Sequence, residues 1–177
     1  MTIKIKYNKS GLKKNTSNLI IFSDEKFNNS GLKRFISKTE YSFIADLIKA
    51  KDLKKKILFF DISSKKKIIL ISLKKNSTSS DLENLGAEFY NMFKNSKSNE
   101  YNLISDSISF NLKNYIGYFL HGLKLKSYIF EKYKTKKNNQ SIKINVTGNN
   151  KPDIKSQIKF DAVEQGTFYT RDLVSEP

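Results

Sequence analysis

The sequence predicts an α/β fold in which helices cover both faces of a mixed five- to six-stranded sheet. Three observations predict it. Short apolar runs with strand periodicity recur along the chain, amphipathic helical segments separate the later runs, and 177 residues suit one domain of ordinary size. No internal repeat or second-domain boundary is visible, and the Ser/Asn/Lys stretches are short enough to be loops.

The first strand is predicted from Ile3, Ile5 and Tyr7, which alternate with Thr2, Lys4 and Lys6. A polar interruption from Lys9 to Ser17 precedes Asn18-Leu19-Ile20-Ile21-Phe22, a strand expected to be buried on both faces. Asp24 to Gly31 reads as a loop. Phe43, Ile44, Leu47 and Ile48 then form one stripe of a short helix. Lys54-Lys55-Lys56 leads into a strand over Ile57–Ile62, and Ser63-Ser64-Lys65 is a tight link to the next, Lys66–Leu73. So short a link makes these two strands antiparallel neighbours, and the unbroken apolar centre Ile68–Ile71 suits the interior of a sheet.

Ser80 and Glu83 have the spacing of a capping box, with Leu82, Leu85, Phe89 and Met92 following at helical intervals and Phe93 beside them. Gly86 in that helix costs about 0.8–1 kcal/mol relative to alanine, so a close backbone approach is expected there. Tyr101–Ile104 is a further short strand. Leu112, Tyr115, Ile116, Phe119, Leu120 and Leu123 give the clearest amphipathic helix, and Ile142, Ile144 and Val146 the last strand. After the break at Gly148–Pro152, Asp153 is placed to cap a final helix whose apolar positions are Ile154, Ile158, Ala162 and Gln165.

Composition narrows the function classes. Hydrophobic residues make up 38%, with 13 Phe and 9 Tyr in patterned segments, so a folded core is expected rather than a disordered basic chain. There is no cysteine, which excludes disulfides, thiolate nucleophiles and thiolate metal sites. No signal-peptide pattern or membrane-length apolar run is present, and a cytoplasmic location is the default expectation. The net charge is +16, yet all but two of the 33 basic residues are lysines, the arginines being Arg34 and Arg171. Specific phosphate and base readout favours the arginine fork, so the lysines are read chiefly as solvated surface.

The inventory of chemistry is thin. His121 is the single histidine and is read as a structural or surface residue. Asp46, Asp52, Asp61 and Asp81 fall on separate elements without paired spacing. The seven glycines are isolated, so no phosphate-cradling loop is formed, and no nucleophile-elbow pattern exists. The aromatics are read as core and rim packing rather than an RNA-recognition signature. The residues themselves assign no catalytic, cofactor-binding or metal-ligating role.

Two segments carry more. One is Gly122-Leu123-Lys124-Leu125-Lys126-Ser127-Tyr128, continuing through Phe130 to Tyr133-Lys134-Thr135-Lys136-Lys137; the other is Gly166, then Arg171-Asp172-Leu173-Val174-Ser175-Glu176-Pro177. Together they resemble the cytosol (leucyl) aminopeptidase family, with weaker support from Asp81–Ala87. The resemblance implies that residues 1–177 are a non-catalytic N-terminal domain with a macro-like α/β shape. It also implies that the family's two divalent metals, zinc or manganese, and its peptide-binding and catalytic residues belong to a catalytic domain lying past Pro177. The parent is then expected to be a homohexameric metalloexopeptidase that removes N-terminal residues from peptides, and this domain alone to be monomeric or weakly associated. Lys54-Lys55-Lys56 departs from the family, which often carries glycine among those lysines. The alternative is a nonspecific nucleic-acid-binding module using Lys124 to Lys137 with Tyr128 and Tyr133 interleaved. A different enzyme with a cleft at the strand ends is the third reading.

Overall fold

Strand-forming runs rich in Ile, Leu and Phe settle into one sheet, seen in a computed structural model that describes residues 2–8, 18–28, 30–50, 55–94, 96, 98–108, 110–135 and 141–176. The elements in chain order are β1 (Thr2–Asn8), β2 (Asn18–Ser23), a 3₁₀ turn (Ser30–Arg34), α1 (Lys38–Ala50), β3 (Ile57–Ser63), β4 (Lys66–Ser72), α2 (Ser79–Phe93), β5 (Glu100–Ile104), α3 (Tyr115–Lys126), β6 (Ser141–Thr147) and α4 (Ile154–Ser175). The sheet is six-stranded in the order β1-β6-β5-β2-β4-β3. All neighbours are parallel except β3 and β4, the antiparallel pair joined by the tight link. β2 is buried along its whole length, as its unbroken apolar run requires. The polar interruption at 9–17 lies outside the described residues, as do Asp52 and Lys54.

Each face of the sheet has its own core. On one face α1 and the 3₁₀ turn bring Leu32, Ile44 and Ile48 against Leu19, Ile21 and Leu70. On the other, α2 and α3 bring Leu82, Phe89, Ile116 and Phe119 against Ile20, Ile69 and Ile144. Aromatic rings dominate this second layer: Phe22 meets Tyr115 and Phe119 edge-on at 5.3 and 5.2 Å, and Phe89 stacks on Phe93 at 4.5 Å. Such contacts add to the area they bury, and the expectation of aromatic core packing holds for these residues.

Several sequence expectations are corrected. α2 begins earlier than the Ser80–Glu83 spacing indicated. Its N-cap is Thr78, whose side chain accepts from Asp81 N at 3.2 Å while Asp81 Oδ2 accepts from Thr78 N at 2.9 Å. The same reciprocal logic operates, with the shorter Asp carboxylate in the place expected for Glu. That N–H bond, with the Thr78 hydroxyl, holds the Asp81 carboxyl below its ordinary value. Phe43 and Met92 are exposed rather than buried, while Tyr90 is buried. The segment 24–31, read as loop, runs into the 3₁₀ turn. Leu112 lies before α3, and α3 is not amphipathic: eight of its residues, from Tyr115 round to Leu123, are buried, because the sheet, α2 and α4 enclose it.

Gly86 does mark a close approach. A Cβ there would overlap the Phe119 carbonyl oxygen and lie 2.9 Å from Leu123 N, and the complementary Gly122 sits against Glu83, whose Cα a Cβ would meet at 2.6 Å. The two helices therefore cross backbone to backbone. Gly86→Ala and Gly122→Ala are each expected to destabilise the domain by about 2–3 kcal/mol, the cost of overpacking against backbone that cannot yield, measured by urea unfolding.

Candidate functional site

Burying most of α3 carries a polar residue inward. His121 is 6% exposed, and its Nδ1 lies 2.9 Å from Oε1 of Glu164 on α4. Glu164 is itself 3% exposed and is the buried residue of α4. Lys124, one turn along α3, ion-pairs with Glu164 and reaches Asp161 at 3.4 Å. Phe160 completes the contact, its ring 5.3 Å from Tyr118 and 5.1 Å from the His121 ring, over a gap left by Gly117. A small cleft of about 330 Å³ runs beside this cluster to β1, where Tyr7 faces it. Burial, followed by the Glu164 charge, pushes the Tyr7 phenol up to about 12. The Lys124 ammonium offsets the buried Glu164 carboxylate, as a buried charge requires, and the His121 ring is hydrogen-bonded to it. Their chemistry is spent on docking α4.

α4 is thus reversed relative to expectation. Asp153 caps it as predicted, accepting from Ser156 N at 2.7 Å, and that N–H depresses the Asp153 carboxyl. But Ile154, Ile158, Ala162 and Gln165 face outward, and the face toward α3 is made by Gln157, Phe160 and Glu164. Periodicity found the apolar stripe; it could not show that the domain's own core lies behind the opposite face.

The two resembling segments meet in space. Tyr128, just past α3, packs its ring 5.4 Å from Phe168 and donates its hydroxyl to Asp172 Oδ1 at 2.7 Å. Arg171 donates from Nη1 to the Leu125 carbonyl at 2.7 Å and lies over the Tyr128 ring at 5.4 Å. Lys132 pairs with Glu176. Two lysines of the 124–137 cluster are therefore engaged in ion pairs within the domain, while Lys136 and Lys137 lie outside the described residues.

Open α/β sheets bind ligands beyond the strand ends where successive connections diverge. Here that place is between β2, which leads to α1, and β5, which leads to α3 on the other face. A crevice of about 380 Å³ opens there, lined by Asp24, Arg34, Asp106 and Ser107 among others. Its two carboxylates and the Ser107 hydroxyl already accept hydrogen bonds from the chain's own amides. Asp106 accepts from Asn149 N at 2.7 Å and Asn150 N at 2.8 Å, Asp24 accepts from Asn28 N at 2.8 Å, and Ser107 Oγ accepts from Phe22 N at 2.9 Å. Gly148, at φ +121°, allows the turn that delivers the two Asn amides to Asp106. The domain's own carboxylate occupies the nest an anion would need.

The remaining candidate carboxylates are dispersed. Asp46 pairs with Lys49 at 3.5 Å, Asp61 with Lys67 at 2.7 Å, and Asp81 caps α2. Among the described residues no group of three or more His, Cys, Asp or Glu is placed to hold a metal ion. No helix among them is long and apolar enough to cross a membrane. Sequence reasoning missed Glu164, Asp161 and Tyr7 as partners of the His121 neighbourhood. The available signal was a carboxylate lying off the apolar stripe of its helix.

Glu164→Ala is expected to cost about 3 kcal/mol, because it strands His121 and Lys124 next to an emptied site, and to raise amide exchange throughout α4. The raised Tyr7 phenol stabilises the fold below pH 10, and that contribution is lost as pH rises from 10 to about 12. An ultraviolet titration of Tyr7→Phe is expected to show one phenol fewer in the high-pH part of the curve, where Tyr7 ionises at about 12.

Comparison with known proteins places this geometry. No protein-family model matches the chain, and no curated protein matches it. Solved structures do. A tomato leucine aminopeptidase variant superposes with a TM-score of 0.70 at 16% identity, over 99% of this chain and 39% of that one. The cytosol aminopeptidase from Coxiella burnetii gives 0.57 at 16%, over 97% and 33%. The bottromycin maturation enzyme BotP gives 0.61 at 11%, over 92% and 33%. The present chain thus spans 39% or less of these solved chains. It has the fold of one part of leucine and cytosol aminopeptidase chains.

Proposed function

We propose that residues 1–177 form the non-catalytic N-terminal domain of a metal-dependent leucyl aminopeptidase. The observation that carries this reading is the fold likeness to a leucine aminopeptidase over 99% of the chain. Two further facts support it: the segments that resemble the cytosol aminopeptidase family pack on one another through Tyr128, Phe168, Arg171 and Asp172, and the described residues bring together no metal-holding group. The domain's role is accessory. It decorates or arranges the assembly, while peptides and the metals are handled by the partner catalytic domain.

In this reading the parent is a cytoplasmic homohexamer whose two zinc or manganese ions activate water for attack on the scissile carbonyl and stabilise the oxyanion. One structure of BotP is a complex with Mn. The macro-like description belongs to this proposal and concerns shape, not ligand; the crevice at the strand ends, whose nearby Asn149 and Asn150 amides are taken by Asp106, gives no support for nucleotide binding. Nonspecific nucleic-acid binding stands second, supported by the +16 charge, which attracts polyanions without selecting among them.

The pure 177-residue chain is expected to show no hydrolysis of leucine p-nitroanilide with added manganese. Metal-dependent turnover that co-purifies with the chain overturns the accessory-domain reading.

A further inference from the structure

β1 is an edge of the sheet. β6 lies on one side of it, and among the described residues no strand lies on the other. An edge strand presents a row of N–H and C=O groups ready to pair with a further strand. The two edges of this sheet differ. β3 has a register irregularity between Asp61 and Ser63, a kink of the kind that blunts an edge. β1 keeps one unbroken register with β6 from Thr2 to Asn8, so its outer side is regular.

The side chains of β1 alternate in kind, as the pleat divides them between two faces. Ile5 and Tyr7 are half-buried on the α3 side. There they form one wall of the cleft of about 330 Å³, which Leu120 and His121 of α3 and Gln157 and Phe160 of α4 complete. Lys4 and Lys6 are exposed and belong to the opposite face. Lys143, opposite Lys4 on β6, pairs with Glu100 at 3.0 Å, whereas Lys4 and Lys6 form no ion pair among the described residues.

We propose that the outer edge of β1 takes up an extended acidic segment of a partner protein as a further strand, its apolar residues entering the cleft beside Ile5 and Tyr7 and its alternate carboxylates meeting Lys4 and Lys6. Main-chain pairing supplies attachment, and the alternating side chains supply selection. Opposite charges side by side on neighbouring strands stabilise the pairing, and like charges oppose it. A second copy of β1 fails this condition, because it sets lysine against lysine. A nucleic acid meets the lysines but offers no strand backbone to the edge.

The test titrates the 177-residue chain into a fluorescein-labelled peptide, Glu-Val-Glu-Val-Glu-Val-Glu, and follows fluorescence anisotropy. Saturable binding is expected, with hydrogen exchange slowed by about tenfold or more in residues 2–8 and unchanged in β3. The block peptide Glu-Glu-Glu-Glu-Val-Val-Val, of equal charge, is expected to bind about tenfold or more weakly, because it breaks the alternation. Glu-Ser-Glu-Ser-Glu-Ser-Glu is expected to weaken similarly, having nothing apolar for the cleft. Lys4→Glu combined with Lys6→Glu, at exposed positions, is expected to weaken the acidic peptide by about tenfold or more and to create binding of Lys-Val-Lys-Val-Lys-Val-Lys. That gain separates a charge swap from a misfolded variant. No saturable binding up to about 1 mM overturns the proposal, and so does slowed exchange that leaves β1 untouched. Block and alternating peptides of equal affinity overturn it in favour of general charge attraction. A peptide with the sequence of β1 itself that binds as well as the acidic one overturns it in favour of self-pairing. A labelled DNA duplex that displaces the acidic peptide and loses affinity in the same double variant overturns it in favour of a polyanion surface.

Discussion

The backbone contact between α2 and α3 sets the arrangement of the helical layer. Gly86 and Gly122 let the two helices cross closer than any side chain would permit, and this draws α3 into the layer between the sheet, α2 and α4. With eight of its twelve residues buried, α3 carries His121 inside. A buried imidazole needs a partner, and Glu164 supplies it from α4. Once the inner face of α4 is committed to that carboxylate and to Phe160, its apolar residues have nowhere to go but outward. The position of one pair of glycines thereby reaches the far surface of the domain.

The same sequence of causes accounts for titratable groups that, among the described residues, are held in structural contacts. Catalysis needs groups that are positioned but not spent. His121 hydrogen-bonds Glu164 and Lys124 ion-pairs with it; Asp106 is consumed by the amides of Asn149 and Asn150; Asp81 and Asp153 close helix ends. At the strand ends, where an open α/β sheet would hold a ligand, the domain has placed its own carboxylate.

Legibility in the sequence followed the range of the interaction that decides each feature. Local periodicity places every strand and helix in order and identifies β3 and β4 as an antiparallel pair, because alternation and a tight link act over a few residues. The sheet order was not readable, since β1 lies beside β6 and β2 beside β5 by contacts far apart in the chain. The capping box slipped by two residues because Thr78–Asp81 and Ser80–Glu83 share one spacing and only backbone geometry distinguishes them. α4 shows the deeper limit. Its apolar stripe was found correctly at Ile154, Ile158 and Ala162, but amphipathicity gives a face without saying what covers it.

The two segments quoted for the family resemblance pack on one another. Their residues are mutual contacts rather than separate labels. Tyr128 is useful only if Phe168 and Arg171 flank it and Asp172 accepts its hydroxyl. A change at one of these positions costs the interaction made by the others, so they behave as a coupled set. The lysines and asparagines that fill much of the surface carry no such coupling. Their number sets the net charge, and through it solubility and long-range attraction, but it does not set the fold. Side chains constrain each other in this way where the end of α3 meets the C-terminal half of α4.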